Sequence, residues 1–187
     1  MTIERIGERL RRQRLAAGKT LAEVAAAAGV STGFLSQAER NLTGVSISSL
    51  ANIARALDVP LRLLFDQPAQ TEADTRQGQR MPYAIEGRRQ TYERLSSSFP
   101  GSVINAVKLT MPPGYQSETV SHDGDEFVYV LSGRVRYAVG DRAYVLGPGD
   151  SLHFPGRDTH DISVVGDEPV EVISVGTLPI FDDGAAT

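Results

Sequence analysis

Apolar and polar positions change their period once along this chain, near residue 80. Ahead of that point the spacing is helical. Ile3, Ile6 and Leu10 recur on one face, with Arg5, Arg9, Arg11 and Arg12 largely off it, and Gly18 closes the helix. Thr20-Leu21-Ala22-Glu23 has the form of a capping box, with the Thr20 hydroxyl accepting from the Glu23 backbone while the glutamate reaches back. An alanine-rich second helix runs to about Ala28, where Gly29 ends it. Ser31 is the expected N-cap of a third helix reaching Arg40. After the turn Asn41-Leu42-Thr43-Gly44, the residues Leu50, Ile53, Ala54 and Leu57 mark a fourth helix, and a short fifth follows Pro60.

Residues 67–79 (QPAQTEADTRQGQ) lack apolar periodicity and read as a linker. Beyond it come short β-type runs at Val103–Leu109, Glu126–Leu131, Val135–Val139, Ala143–Leu146, Leu152–Phe154 and Val170–Val175. Turn signals such as Pro112-Pro113-Gly114, Ser132-Gly133 and Gly147-Pro148-Gly149-Asp150 punctuate them, which predicts a sandwich or barrel rather than a parallel α/β sheet. The expected fold is therefore multidomain α + β, an all-α bundle over residues 1–66 and an all-β domain over residues 80–187.

Charge sharpens this division. Residues 1–70 carry nine Lys/Arg against six Asp/Glu, and the remainder ten against seventeen. A basic front half on an acidic protein points that half toward a polyanion. The sequence has no cysteine, which excludes disulfides and thiolate metal sites. No apolar run is long enough to span a bilayer, and the charged start MTIERIGERLRRQRL does not read as a signal peptide, so a cytoplasmic protein without a membrane partner is expected.

Within the helical half, Ala25 is small where two helices cross, Gly29 permits the turn, and Val24, Val30 and Leu35 can fill the space between them. With Ile6-Gly7, Leu10-Arg11, Arg14, Ala28-Gly29-Val30-Ser31, Leu35-Ser36-Gln37 and Glu39-Arg40, this ordered set resembles the lambda-repressor-like (XRE-type) helix-turn-helix family over residues 3–65. The resemblance implies a third helix in the major groove of double-stranded DNA, with Thr32, Gly33 and Gln37 facing bases and Ser31, Ser36, Arg40 and Asn41 beside them. Gln37 is chemically the best reader, because its amide pairs bidentately with an adenine edge. Thr20, Arg11 and the other helix-one arginines are expected on phosphates, and Arg14 in an internal ion pair with Glu39.

In the β half, Pro113-Gly114, His122, Glu126, Gly133, then Gly149-Asp150, Pro155 and His160 resemble the two motifs of the cupin family, a double-stranded β-helix (jelly-roll) barrel, over residues 80–180. Two histidines and one carboxylate with open positions suit a divalent metal (Fe, Zn, Ni or Mn), or else form a polar pocket that hydrogen-bonds an organic ligand. Val120 stands where full cupin metal sites carry a further histidine, Val164 where they carry asparagine, and the glycine of the second motif is displaced to Gly156. Tyr129 is a further candidate for ligand contact, whereas strand alternation points His153 away from its apolar neighbours Leu152 and Phe154. Together the two resemblances imply a non-enzymatic, homodimeric transcriptional regulator, in type a repressor, that binds a pseudo-palindromic operator and a small-molecule effector. The alternative is a mononuclear non-haem iron enzyme resembling the phosphonate epoxidases, which share the two-domain plan. Their catalytic lysine falls near Gly18, with Lys19 adjacent.

Overall fold

The computed structural model describes residues 6–64, 70, 72–80, 82–84 and 90–181. Ile3, Arg5, residues 67–69 and 71 of the linker segment, and the Tyr83 side chain lie outside the described residues. The helices are α1 (Ile6–Ala16), α2 (Leu21–Ala28), α3 (Thr32–Glu39) and α4 (Ile47–Leu57). After Pro60 the chain makes a single 3₁₀ turn, Leu61–Leu63, in place of the expected fifth α-helix.

Local chemistry sets these boundaries. Thr20 and Glu23 form the full capping box at the start of α2, and Gly29 ends it in the left-handed region at φ 69°. Ser31 and Ser46 cap α3 and α4 by accepting from the backbone N–H three residues on. Leu10, Val24, Ala25, Leu35, Leu50, Ile53 and Leu57 fill the core between the helices. At Gly7 a Cβ would collide with the Ala38 and Glu39 carbonyls, so only glycine lets α1 lie this close to the end of α3. The Gly7 N–H donates to Asn41 Oδ1 at 2.9 Å, which fastens the two helices at that point.

The second half is an antiparallel two-sheet barrel of nine described strands: β1 (Tyr83–Ala84), β2 (Thr91–Arg94), β3 (Asn105–Met111), β4 (Asp125–Ser132), β5 (Val135–Val139), β6 (Arg142–Leu146), β7 (Ser151–Pro155), β8 (His160–Val164) and β9 (Val170–Gly176). One sheet runs β1-β2-β3-β9-β4-β7 and the other β6-β5-β8. Burial alternates along β3 and β5, as the period of two requires, with Val107, Leu109, Met111, Val135 and Tyr137 inside. The run expected to begin at Val103 pairs only from Asn105, leaving Val103 and Ile104 exposed.

Residues 116–123 form a strap beside β8. Val120 and His160 exchange both backbone hydrogen bonds, and the Ser117 N–H donates to the Ile162 carbonyl. The outer side of this strap carries α4: the Ser46 N–H donates to Glu118 (3.3 Å) and Asn52 Nδ2 to the Ser121 carbonyl (3.0 Å). Buried apolar residues of the helices and the barrel accordingly form one cluster. Among the described residues, no helix is long and apolar enough to cross a membrane.

Candidate functional site

His122 lies at the end of the strap, Glu126 at the start of β4 and His160 at the start of β8, and the pairing of strap with β8 brings all three to one barrel mouth. Glu126 Oε2 is 3.4 Å from His160 Nε2 and 3.7 Å from His122 Nε2. One ligand atom from each residue lies within 4.8 Å of the other two. Both histidines are buried. Their Nδ1 atoms sit 2.9 and 2.8 Å from the backbone carbonyls of Asp123 and Asp158. A carbonyl can only accept, so each Nδ1 donates to it, and Nε2 is the ring nitrogen left facing Glu126.

The ring of His160 packs edge-on against those of His122 and Phe154, each at 5.1 Å, while Ser174 Oγ donates to Glu126 Oε1 at 3.3 Å. Gly156 makes room for His122: a Cβ there would strike the imidazole. Burial pulls the proton affinity of His122 down, but the Glu126 carboxylate and the Asp123 carbonyl outweigh it and its pKa stands above the usual value. Burial pushes Glu126 up, and the two histidines with Ser174 more than reverse this, so the carboxylate stays ionised.

These donors fit a divalent cation. Two neutral imidazole nitrogens and a carboxylate are a borderline donor set with open positions, and backbone carbonyls fix both tautomers in the way metal-binding histidines require. Nε2 of His122 is buried without a hydrogen-bond partner, a polar atom that a cation would satisfy.

A second surface lies on α3. Ser31, Thr32, Gly33, Gln37 and Arg40 are exposed, and Gly33, Gln37 and Arg40 fall on one edge at helical spacing. Ser36 is half-buried and its carbonyl accepts from Arg40 Nε at 3.1 Å. Arg11 and Arg12 of α1 are also exposed. Arg14 is turned inward, where its guanidinium makes two bonds to Glu39, Nε to Oε1 at 2.6 Å and Nη2 to Oε2 at 2.9 Å.

Residues 10–64 match the helix-turn-helix family and residues 107–176 match the cupin domain. The chain is a helix-turn-helix protein with a cupin domain. The HTH-type transcriptional regulator SutR of Escherichia coli (strain K12) is 26% identical over 174 residues, 92% of each protein. The HTH-type transcriptional regulator SinR of Bacillus subtilis (strain 168) is 41% identical over 70 residues, 37% of this chain and 63% of that relative, so the chain spans less than two thirds of its length. A solved HTH_3 family transcriptional regulator from Vibrio cholerae shares the fold, with a TM-score of 0.63 at 19% identity over 93% of this chain and 95% of that one.

Thr20 is exposed, and both its N–H and its hydroxyl are 2.7 Å from Glu23 Oε2. Asn41 is in the left-handed region at φ 56°, and its Oδ1 accepts from the Gly7 N–H at the start of α1. Arg9 is buried on the packed side of α1, not turned outward with Arg11 and Arg12. The Lys19 ammonium donates to the Ala56 carbonyl at the end of α4, a favourable place for a cation, and Gly18 beside it has no side chain.

In the cupin domain, Tyr129 stands on the outer face of β4, 40% exposed, because Glu126, Val128 and Val130 take the inward parity. Tyr137, by contrast, lies inside, buried like Tyr92 and Tyr115, its ring 6.4 Å from Phe154. Burial first, then the nearby Glu126 charge, raises its pKa well above the usual value. His153 is exposed beside Phe127, as alternation predicts. Sequence reasoning missed Asn52, Arg55, Tyr137 and Ser174. Of these, only Asn52 and Arg55 carried a signal, a polar pair three residues apart among the apolar residues Leu50, Ile53, Ala54 and Leu57.

Proposed function

We propose that this protein is a transcription regulator that reads double-stranded DNA with the exposed edge of α3, and that its cupin triad holds a divalent metal whose occupancy changes operator binding. The observation carrying the DNA half is the polar edge of α3, with Gln37 at its centre and exposed arginines on α1 nearby. Thr32 and Gln37 read bases, Ser31, Gly33, Ser36 and Arg40 lie against the groove, and Arg11 holds a phosphate. One such module presents one helix to one half-site. The protein therefore acts as a homodimer, in the cytoplasm, on a pseudo-palindromic operator.

His122, Glu126 and His160 would hold the metal, with Fe(II), Zn(II), Ni(II) and Mn(II) all compatible with this donor set. Bound there, the metal supplies a positive charge with free positions for a small effector. The ligated state must favour one arrangement of the DNA-binding domain, since equal affinity for two arrangements shifts neither. The engagement of Lys19 with α4 argues against the epoxidase-like alternative, which needs a lysine at the metal.

Gln37→Ala is expected to weaken operator binding by about 1–3 kcal/mol and to relax preference at one base pair. Arg11→Ala should weaken all sequences alike and flatten the salt dependence. Fluorescence anisotropy on a panel of single-base operator variants separates the two. Unchanged affinity and unchanged base preference in Gln37→Ala would remove that residue from the reading face.

A further inference from the structure

We infer that α4 couples the metal centre to the DNA-reading helix, and that Asn52 and Arg55 are positioning residues that fasten it to the two backbone neighbours of His122. This rests on the reading of the triad as a metal-responsive sensor.

Asn52 is 3% exposed near the middle of α4, an unfavourable place for an amide both in helix propensity and in desolvation. It is tolerated because both ends of the amide are satisfied across the domain boundary or toward it. Nδ2 donates to the Ser121 carbonyl at 3.0 Å, and Oδ1 accepts from Arg55 Nη2 at 3.1 Å. The other arm of Arg55 reaches Asp123 Oδ2 at 3.4 Å. Ser121 and Asp123 flank His122, and the Asp123 carbonyl is the group that fixes the His122 ring. The residue whose ring enters the metal centre is therefore held by α4 on both of its peptide neighbours.

The same strap fixes the N-terminus of α4. Glu118 accepts the Ser46 N–H, a carboxylate at the positive end of a helix. The wholly buried Gln90 donates to the Val45 carbonyl at 3.3 Å and to the Tyr92 hydroxyl at 2.9 Å. His122 itself has little room to adjust alone: its N–H is bonded to the Gly156 carbonyl at 2.9 Å, and its ring lies against the Cα of that glycine. A ligand that draws His122 and His160 toward Glu126 consequently acts on the strap, and the strap on α4. On its other side α4 packs against α2, and α2 against α3. Mere adjacency along such a route is not coupling, so the response of α4 itself is the quantity to measure.

The experiment is hydrogen–deuterium exchange on the full chain with and without nickel(II), each protein compared with itself. In the parent, amides of residues 47–57 should exchange about fivefold or more slowly when nickel is bound, the lower end of ordinary coupling energies. In Asn52→Ala and in Arg55→Ala, calorimetry should show nickel binding retained while the α4 response falls below about twofold. Arg55 has an exposed side chain, so its variant tests the idea even if Asn52→Ala misfolds. An α4 response equal in parent and variants, or a nickel response confined to the barrel, overturns the inference and leaves the sensor reading standing. Nickel binding that survives His160→Ala, or no nickel binding in the parent, overturns the sensor reading and the inference with it.

Discussion

Arg14→Ala is expected to destabilise the protein by about 3 kcal/mol, near the low end of the roughly 3–5 kcal/mol that follows breaking a buried ion pair. The side chains of Arg14 and Glu39 are 11% and 5% exposed, so removing the guanidinium strands a carboxylate with little access to water. The geometry is bidentate, and a third donor, Nη1, holds the Lys19 carbonyl at 3.0 Å, just beyond the end of α1. The hydrogen bond to Glu39, with its negative charge, raises the Arg14 pKa further from neutrality, so the guanidinium stays charged. Arg14→Lys keeps the charge without the fork and should fall between the parent and alanine. The double variant Arg14→Met/Glu39→Leu should recover much of the loss, since it leaves no charge buried alone. Chemical denaturation of the full chain measures all three. An Arg14→Ala protein that unfolds like the parent but fails to bind DNA would make Arg14 a phosphate contact instead.

The second large effect concerns the triad. Glu126→Gln, His122→Ala and His160→Ala should each lower divalent-metal affinity by more than about 100-fold, beyond the roughly 10–100-fold that altering a ligand's hydrogen-bond partner costs. Glutamine keeps the Ser174 contact and the volume but removes the charge that both imidazoles face. Tyr129→Phe, on the outer face of β4, and His153→Ala, exposed on β7, should bind metal as the parent does. Titration calorimetry with elemental analysis reads the series. Undiminished affinity in Glu126→Gln would make the triad a hydrogen-bonding pocket for an organic ligand.

The helices were legible in the sequence because their ends are written in short-range chemistry. Thr20, Glu23, Gly29, Ser31 and Ser46 cap or stop helices through bonds to residues at most four positions away. Strands were legible where burial alternates with side-chain polarity, as in β5. They were missed where it does not: β2 (Thr91–Arg94) is polar and charged, and Glu93 is held there by Lys108 at 2.9 Å on β3. The triad could be named from spacing, but the way it is built could not. Gly156 looked like a displaced motif residue, yet its missing side chain is where the His122 ring sits. Thr20, Asn41 and Tyr129 were assigned to ligands because each has the right functional group. What the sequence could not show was the partner each finds within the chain, or the parity of its strand, and both are facts of the folded chain. Asn52 shows the converse, since its purpose is visible only once Ser121 lies against it.

The central claim is that α3 reads a DNA sequence, and selection of bound duplexes from a randomised pool tests it most directly. The account predicts a two-fold symmetric motif, bound with a Kd of about 10 nM or tighter at physiological salt and weakened on every half-site by Gln37→Ala. Selection that enriches no motif, with binding that depends on salt alone and ignores Gln37→Ala, would contradict it.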